Sequence, residues 1–208
     1  MTSSLALSAL LVIAAGCAAG CARTGGTTTT SATAAATATA VASAGDSSEQ
    51  PYTVYDLAAT WRDQQGRERT LASLAGRPRV VAMIYTSCTT TCPLTVAEMK
   101  RVEREAGSAD VGFVLVTLDP GQDGVARLAA FARDRALSPD RWTLLTGSDD
   151  GVRELAAALG VRYRRLSAAE LAHSNTLTVL DASGAVTYQS AGLGGAGETL
   201  AAVRALTH

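Results

Sequence analysis

The chain has 208 residues, with 18 Lys and Arg against 19 Asp and Glu, 47% hydrophobic residues and 4% aromatic ones. That size and apolar content suit one soluble domain with appendages. A formal net charge of -1 offers no basic stripe for a phosphate backbone, so nucleic acid is excluded as a partner class.

Residues 1–21, MTSSLALSALLVIAAGCAAGC, hold an apolar run from Leu5 to Ala15 that is too short to span a bilayer and right for the core of an export signal. Cys17 and Cys21 each close the tetrapeptide Ala-Ala-Gly-Cys. It resembles the lipobox at which bacterial lipoproteins are cleaved and acylated, so either cysteine is a candidate lipid anchor. An ordinary cleaved signal is the alternative. Residues 22–50 are mostly Thr, Ala, Ser and Gly, with Val41 the only larger aliphatic side chain from Thr24 on, and cannot bury a core. A flexible coil of this length has an end-to-end distance of about 30 Å. It reads as a disordered tether that holds a folded domain, residues 51–208, clear of a membrane surface.

Periodicity in that domain alternates between strand and helix. "YTVYDLAATW" is strand-like, "DQQG" turns the chain, and "RVVAMIYT" is a continuous apolar run of the kind found in a strand covered on both faces. A helix is expected from Pro93 to about Ala106, then a second buried strand in "VGFVLVTL". Val125, Leu128, Ala129 and Ala132 repeat at helical spacing behind Asp123, a candidate N-cap, and Val152, Leu155, Ala156 and Leu159 do so behind Ser148. Between them lies the short apolar stretch "WTLL". "NTLTVLDASGAVTYQS" reads as a hairpin turning at Ala182 to Gly184, and a last helix carries Leu200, Val203 and Leu206. The order implies an α/β domain with a mixed central sheet flanked by helices.

The chemistry concentrates in "YTSCTTTCPLT", where Cys88 and Cys92 lie in a C-x-x-x-C spacing followed by Pro93. Proline disfavours α geometry in the residue before it and fits the first helical turn, which places Cys92 at the N-cap and Cys88 in the preceding loop. Helix N–H groups favour thiolates there. Redox dithiol, disulfide and metal clamp are all open to such a pair. His173, in "ELAHSNTLTVLD", is a third candidate, since a loop before the hairpin can return to the end of the sheet where α/β sites form. His208 has no supporting context.

Three motifs in register carry a resemblance. "YTSCTTTCPLT" resembles the T-x-C-x-x-x-C-P segment of the Sco/SenC family, "VTLDPGQD" its V-[ST]-x-D-P-x-x-D motif, and "AHSNTLTVLDASG" its D-H-S stretch before a strand and turn. Order and spacing agree over roughly residues 52 to 206. The resemblance implies a thioredoxin-like fold, here with an N-terminal hairpin extension. It also implies a membrane-anchored protein on the periplasmic or outer side, and a copper site formed by Cys88, Cys92 and His173. It further implies a role in supplying copper to the binuclear copper centre of cytochrome c oxidase, or in reducing its thiols. The expected partner is therefore the copper-binding subunit of that oxidase or another exported copper protein. Where the family often carries Pro-Asp-Val and an acidic residue before the histidine, this chain has Thr89, Thr90 and Thr91, and Ala172. Asp119 and Asp123 match acidic positions of the motif and are read as turn and capping residues.

Two thiolates and an imidazole make a soft, three-coordinate set suited to Cu(I) and borderline for Cu(II), whereas structural zinc calls for a fourth ligand. Such an open site suits a carrier that gives its metal away. The rival readings are a thiol:disulfide oxidoreductase with Cys88 attacking and Cys92 resolving, and a scaffold stapled by a Cys88–Cys92 disulfide.

Overall fold

A computed structural model describes residues 52–167 and 170–207, so Cys17, Cys21, the expected tether at 22–50 and His208 lie outside the described residues. No helix among the described residues is long and apolar enough to cross a membrane.

The stretch expected as the first strand divides in two. Val54–Asp56 form a 3-10 turn, and strand β1 covers only Thr60–Asp63. Asp56 is the cause, because its carboxylate accepts the Thr53 N–H at 2.7 Å and the Thr53 hydroxyl at 3.0 Å, curling the chain before it can extend. The chain then turns at the expected "DQQG" and returns as β2 (Glu68–Thr70), which periodicity alone had not separated from the turn. Asp63 holds this hairpin from within. Its buried carboxylate accepts the N–H groups of Gln65 and Arg67 at 2.9 and 3.0 Å and pairs with the Arg67 and Arg69 guanidinium groups.

β3 (Arg79–Ile84), α1 (Thr91–Ala106), β4 (Gly112–Thr117), α2 (Val125–Asp134), β5 (Trp142–Gly147) and α3 (Asp149–Ala158) follow in the expected order. β3 and β4 are buried at every residue, as their uninterrupted apolar sequences require. Ser148 caps α3 by accepting the Gly151 N–H at 3.1 Å. Next come β6 (Tyr163–Arg165) and β7 (Leu171–His173), a two-stranded ribbon that the sequence had not announced, then the hairpin β8 (Thr176–Leu180) and β9 (Val186–Ala191), and finally α4 (Ala196–Leu206).

The seven-stranded sheet runs β2-β1-β5-β4-β3-β8-β9. β3, β4 and β5 are parallel, while β1 and β8 join them antiparallel, which makes the sheet mixed. Trp61, Phe113 and Trp142 fill its centre, Phe113 stacked on Trp142 at 4.9 Å between ring centroids. This topology also gathers the site. Ile84 pairs with Thr117, so β3 and β4 deliver their loops at one end of the sheet. β8 runs antiparallel to β3 with Leu180 opposite Arg79, so its start, and the histidine just before it, arrives at that same end.

Candidate metal centre

The ligand atoms of Cys88, Cys92 and His173 lie within 4.8 Å of one another, although the histidine is 81 residues from Cys92 in sequence. Both cysteines are buried and unbridged by a disulfide. Helix α1 begins earlier than proline logic placed it. Thr90 is the N-cap, so Cys92 stands inside the first turn and Pro93 follows it there. Pro93 costs nothing in that position, because first-turn N–H groups have no intrahelical acceptor. One of these spare donors, the Cys92 N–H, points instead at Cys88 Sγ, 3.4 Å away.

That hydrogen bond splits the two thiols. The expectation that the helix terminus would favour both thiolates holds for Cys88 only. Burial opposes its ionisation, but the backbone N–H groups of Cys92 and Thr90, together with their side chains, hold its pKa down at about 5. Thr90 and Thr91 hydroxyls stand 3.7 and 3.8 Å from the sulfur, so the threonine run lines the thiol with polar groups. Cys92 moves the other way. Burial raises its pKa to about 12 against a backbone hydrogen bond from Tyr85, and the neighbouring Cys88 and Asp123 add to the rise.

His173 is oriented by two contacts. Its Nδ1 lies 3.1 Å from the Ser174 carbonyl oxygen, which can only accept, so the proton sits on Nδ1. Nε2 is left with its lone pair toward Cys92 Sγ at 3.5 Å. The ring also meets the Tyr85 ring edge-on, 5.8 Å between centroids at 80°. Ala172, exposed and paired with Arg164, is on the opposite side of β7 from His173 by strand alternation. Ring orientation therefore comes from Ser174 and Tyr85.

The aspartates of "VTLDPGQD" do more than sequence reasoning allowed. Asp119 makes the expected turn, its carbonyl accepting the N–H groups of Gln122 and Asp123 at 3.0 and 2.8 Å. Asp123 is not a helix cap, since Gly124 is the N-cap of α2. Its buried carboxylate instead accepts the Thr86 N–H at 2.8 Å, the Thr117 hydroxyl at 2.6 Å and the Thr86 hydroxyl, with Arg127 3.7 Å away. Thr86 lies two residues before Cys88, so Asp123 ties the cysteine loop to β4.

The SCO1/SenC family profile matches residues 47–208. The chain belongs to the SCO1/SenC family. It is 31% identical over 115 residues to the SCO1 protein homolog of Bacillus subtilis, an alignment covering 54% of this chain and 60% of the relative. The chain thus spans less than two thirds of that relative's length. Its fold matches the SCO1/SenC family lipoprotein of Bacillus anthracis with a TM-score of 0.67 at 23% identity, covering 74% of this chain and 96% of that one. It matches copper-bound ScoI of Arabidopsis thaliana with a TM-score of 0.61 at 18% identity, covering 71% and 96%. The SCO1/SenC fold is thioredoxin-like, and in this member the β1–β2 hairpin extends the sheet beyond β5.

Proposed function

We propose that this SCO1/SenC protein is an exported copper carrier that holds one copper ion through Cys88, Cys92 and His173. The observation that carries the reading is the convergence of two sulfurs and a lone-pair-bearing Nε2 within 4.8 Å. Thiolate and imidazole donors are soft, and three of them satisfy Cu(I) while leaving a side open for ligand exchange. Supporting it, copper is bound in the solved ScoI of Arabidopsis thaliana and in Sco1 of yeast. The recipient is an exported copper protein, with the binuclear copper centre of cytochrome c oxidase as the specific case, in keeping with the similar solved structure of BsSco, a member of the Sco family of cytochrome c oxidase assembly proteins.

Residues 1–21 act as the export signal, Cys17 or Cys21 as the lipid anchor, and 22–50 as the tether to the 51–208 domain; the family lipoprotein from Bacillus anthracis supports this arrangement. Titration of the reduced protein with Cu(I) gives one equivalent bound. Cys88→Ser and Cys92→Ser abolish tight binding, and His173→Ala weakens it. Copper binding equal to the parent in all three variants overturns the reading.

A second reading rests on the unequal thiols. Cys88, held at about 5, is the attacking thiolate and Cys92, raised to about 12, the resolving thiol of a dithiol that reduces a disulfide in an exported partner and is itself left as a Cys88–Cys92 disulfide. Insulin reduction that survives His173→Ala and fails in either cysteine variant supports it. Its absence in the parent removes it.

A further inference from the structure

The three candidate ligand side chains come from two parts of the fold that, among the described residues, share no strand pairing. Cys88 and Cys92 belong to the loop and helix that follow β3, inside the main sheet. His173 belongs to the β6–β7 ribbon, a sheet of its own in which Tyr163 pairs with His173, Arg164 with Ala172 and Arg165 with Leu171. Something must fix the ribbon against the body if Nε2 is to stay 3.5 Å from Cys92 Sγ. Ser174 closes the ribbon on itself, since its N–H donates to the Arg162 carbonyl and its hydroxyl accepts the Arg162 N–H. Neither bond reaches the main sheet.

Burial of Leu171 in the core and the edge-on contact of His173 with Tyr85 seat the ribbon without fixing its direction, and a charged contact adds direction. Arg165 grips the Asp119 carboxylate with both terminal nitrogens, Nη2 to Oδ1 at 2.7 Å and Nη1 to Oδ2 at 3.3 Å. Asp119 is 5% exposed and its own backbone is pinned, the N–H donating to Thr117 Oγ1 at 2.9 Å and the carbonyl closing the turn to Asp123. It is a rigid post for a two-pronged fork, the geometry in which an Arg–carboxylate pair is directional. Four residues on, Asp123 holds the cysteine loop through Thr86. One turn, residues 119–123, thus grips the cysteine loop on one side and the histidine ribbon on the other.

We propose that the Asp119–Arg165 pair is a latch that positions His173 over the two sulfurs, so that releasing it converts a three-ligand site into a two-sulfur site with the histidine swung away. The ion pair is half open to solvent, with 47% of the Arg165 side chain exposed, so a docking partner carrying its own carboxylate can compete for the guanidinium. Copper held by two sulfurs is then open to capture. The latch rests on the proposed copper site for its consequence, but its effect on the histidine does not need metal.

The test uses the full chain with Arg165→Gln, Arg165→Lys and Asp119→Asn, alone and combined with His173→Ala. Each neutralising variant keeps one Cu(I) per chain and loses about tenfold in affinity by chelator competition, the lower end of what removing an outer partner of a ligand costs. Arg165→Lys stays nearer the parent. On the His173→Ala background Arg165→Gln brings no further loss, an epistasis that general destabilisation would not produce. The metal-free readout is the 15N spectrum of histidine-labelled protein. The chain has two histidines, so a His208→Ala background leaves His173 alone, and its ring signals lose the Tyr85 ring-current shift in Arg165→Gln. Unchanged ring signals in Arg165→Gln overturn the latch, as does an equal loss of affinity on both backgrounds. A parent protein that takes up no copper overturns the proposed function, while the apo spectrum still decides the latch.

Discussion

Replacing Asp123 by alanine tests how the cysteine loop is built. The carboxylate is 1% exposed and serves three donors, the Thr86 N–H, the Thr86 hydroxyl and the Thr117 hydroxyl. The Thr86 side chain is partly exposed and turns to water, so its hydroxyl costs little. The Thr86 N–H and the wholly buried Thr117 hydroxyl lose their acceptor, at roughly 1 to 3 kcal/mol each. The Arg127 pair, with 54% of the Arg127 side chain exposed, adds under about 1 kcal/mol. The sum is about 4 kcal/mol, a fall of roughly 8 to 16 °C in Tm for a domain of this size. Urea unfolding of the reduced apo protein measures it. Asp123→Asn, which keeps an acceptor and most of the volume, loses about half as much. An Asp123→Ala variant within about 1 kcal/mol of the parent, at unchanged m-value, refutes the view that this carboxylate anchors the loop.

Alkylation by iodoacetamide reads the two thiols separately. The reactive species is the thiolate, so modification of Cys88 rises as pH passes about 5 and is flat at neutral pH, while Cys92 resists until pH approaches 12. Two thiols modified with a common midpoint near the ordinary cysteine value contradict the asymmetry. Gly184→Ala is costly for two reasons: φ is +92° there, and an added Cβ would lie 2.4 Å from the Tyr55 ring. A loss of about 3 kcal/mol is expected in denaturant unfolding, and a neutral variant shows that the turn and the Tyr55 packing adapt freely.

The parallel core was legible because β3 and β4 are buried at every position and their sequences say so without interruption. The meeting of Cys88, Cys92 and His173 within 4.8 Å was legible because C-x-x-x-C-P and a histidine before a strand follow the order of the SCO1/SenC motifs. What escaped reading has local causes. The β6–β7 ribbon is three residues per strand with a single buried side chain, Leu171, too short for an alternating pattern to stand out. The 3-10 turn at Val54–Asp56 follows from one Asp56 hydrogen-bonding pattern that overrides an apolar, β-prone stretch. Asp123 was assigned to the helix that follows it, a local reading, whereas its carboxylate answers to Thr86, 37 residues earlier. The signal for that role was present in part. Two aspartates four positions apart in the turn after a buried strand ask for non-local partners, but only the fold supplies Thr86 to Asp123 and Arg165 to Asp119.

X-ray absorption at the copper edge of the Cu(I)-loaded protein tests the central claim most directly. Two sulfur scatterers and one nitrogen scatterer per copper are predicted for the parent, with the nitrogen lost in His173→Ala and a sulfur lost in Cys88→Ser or Cys92→Ser. A parent spectrum of sulfur alone, unchanged by removing the imidazole of His173, would contradict it.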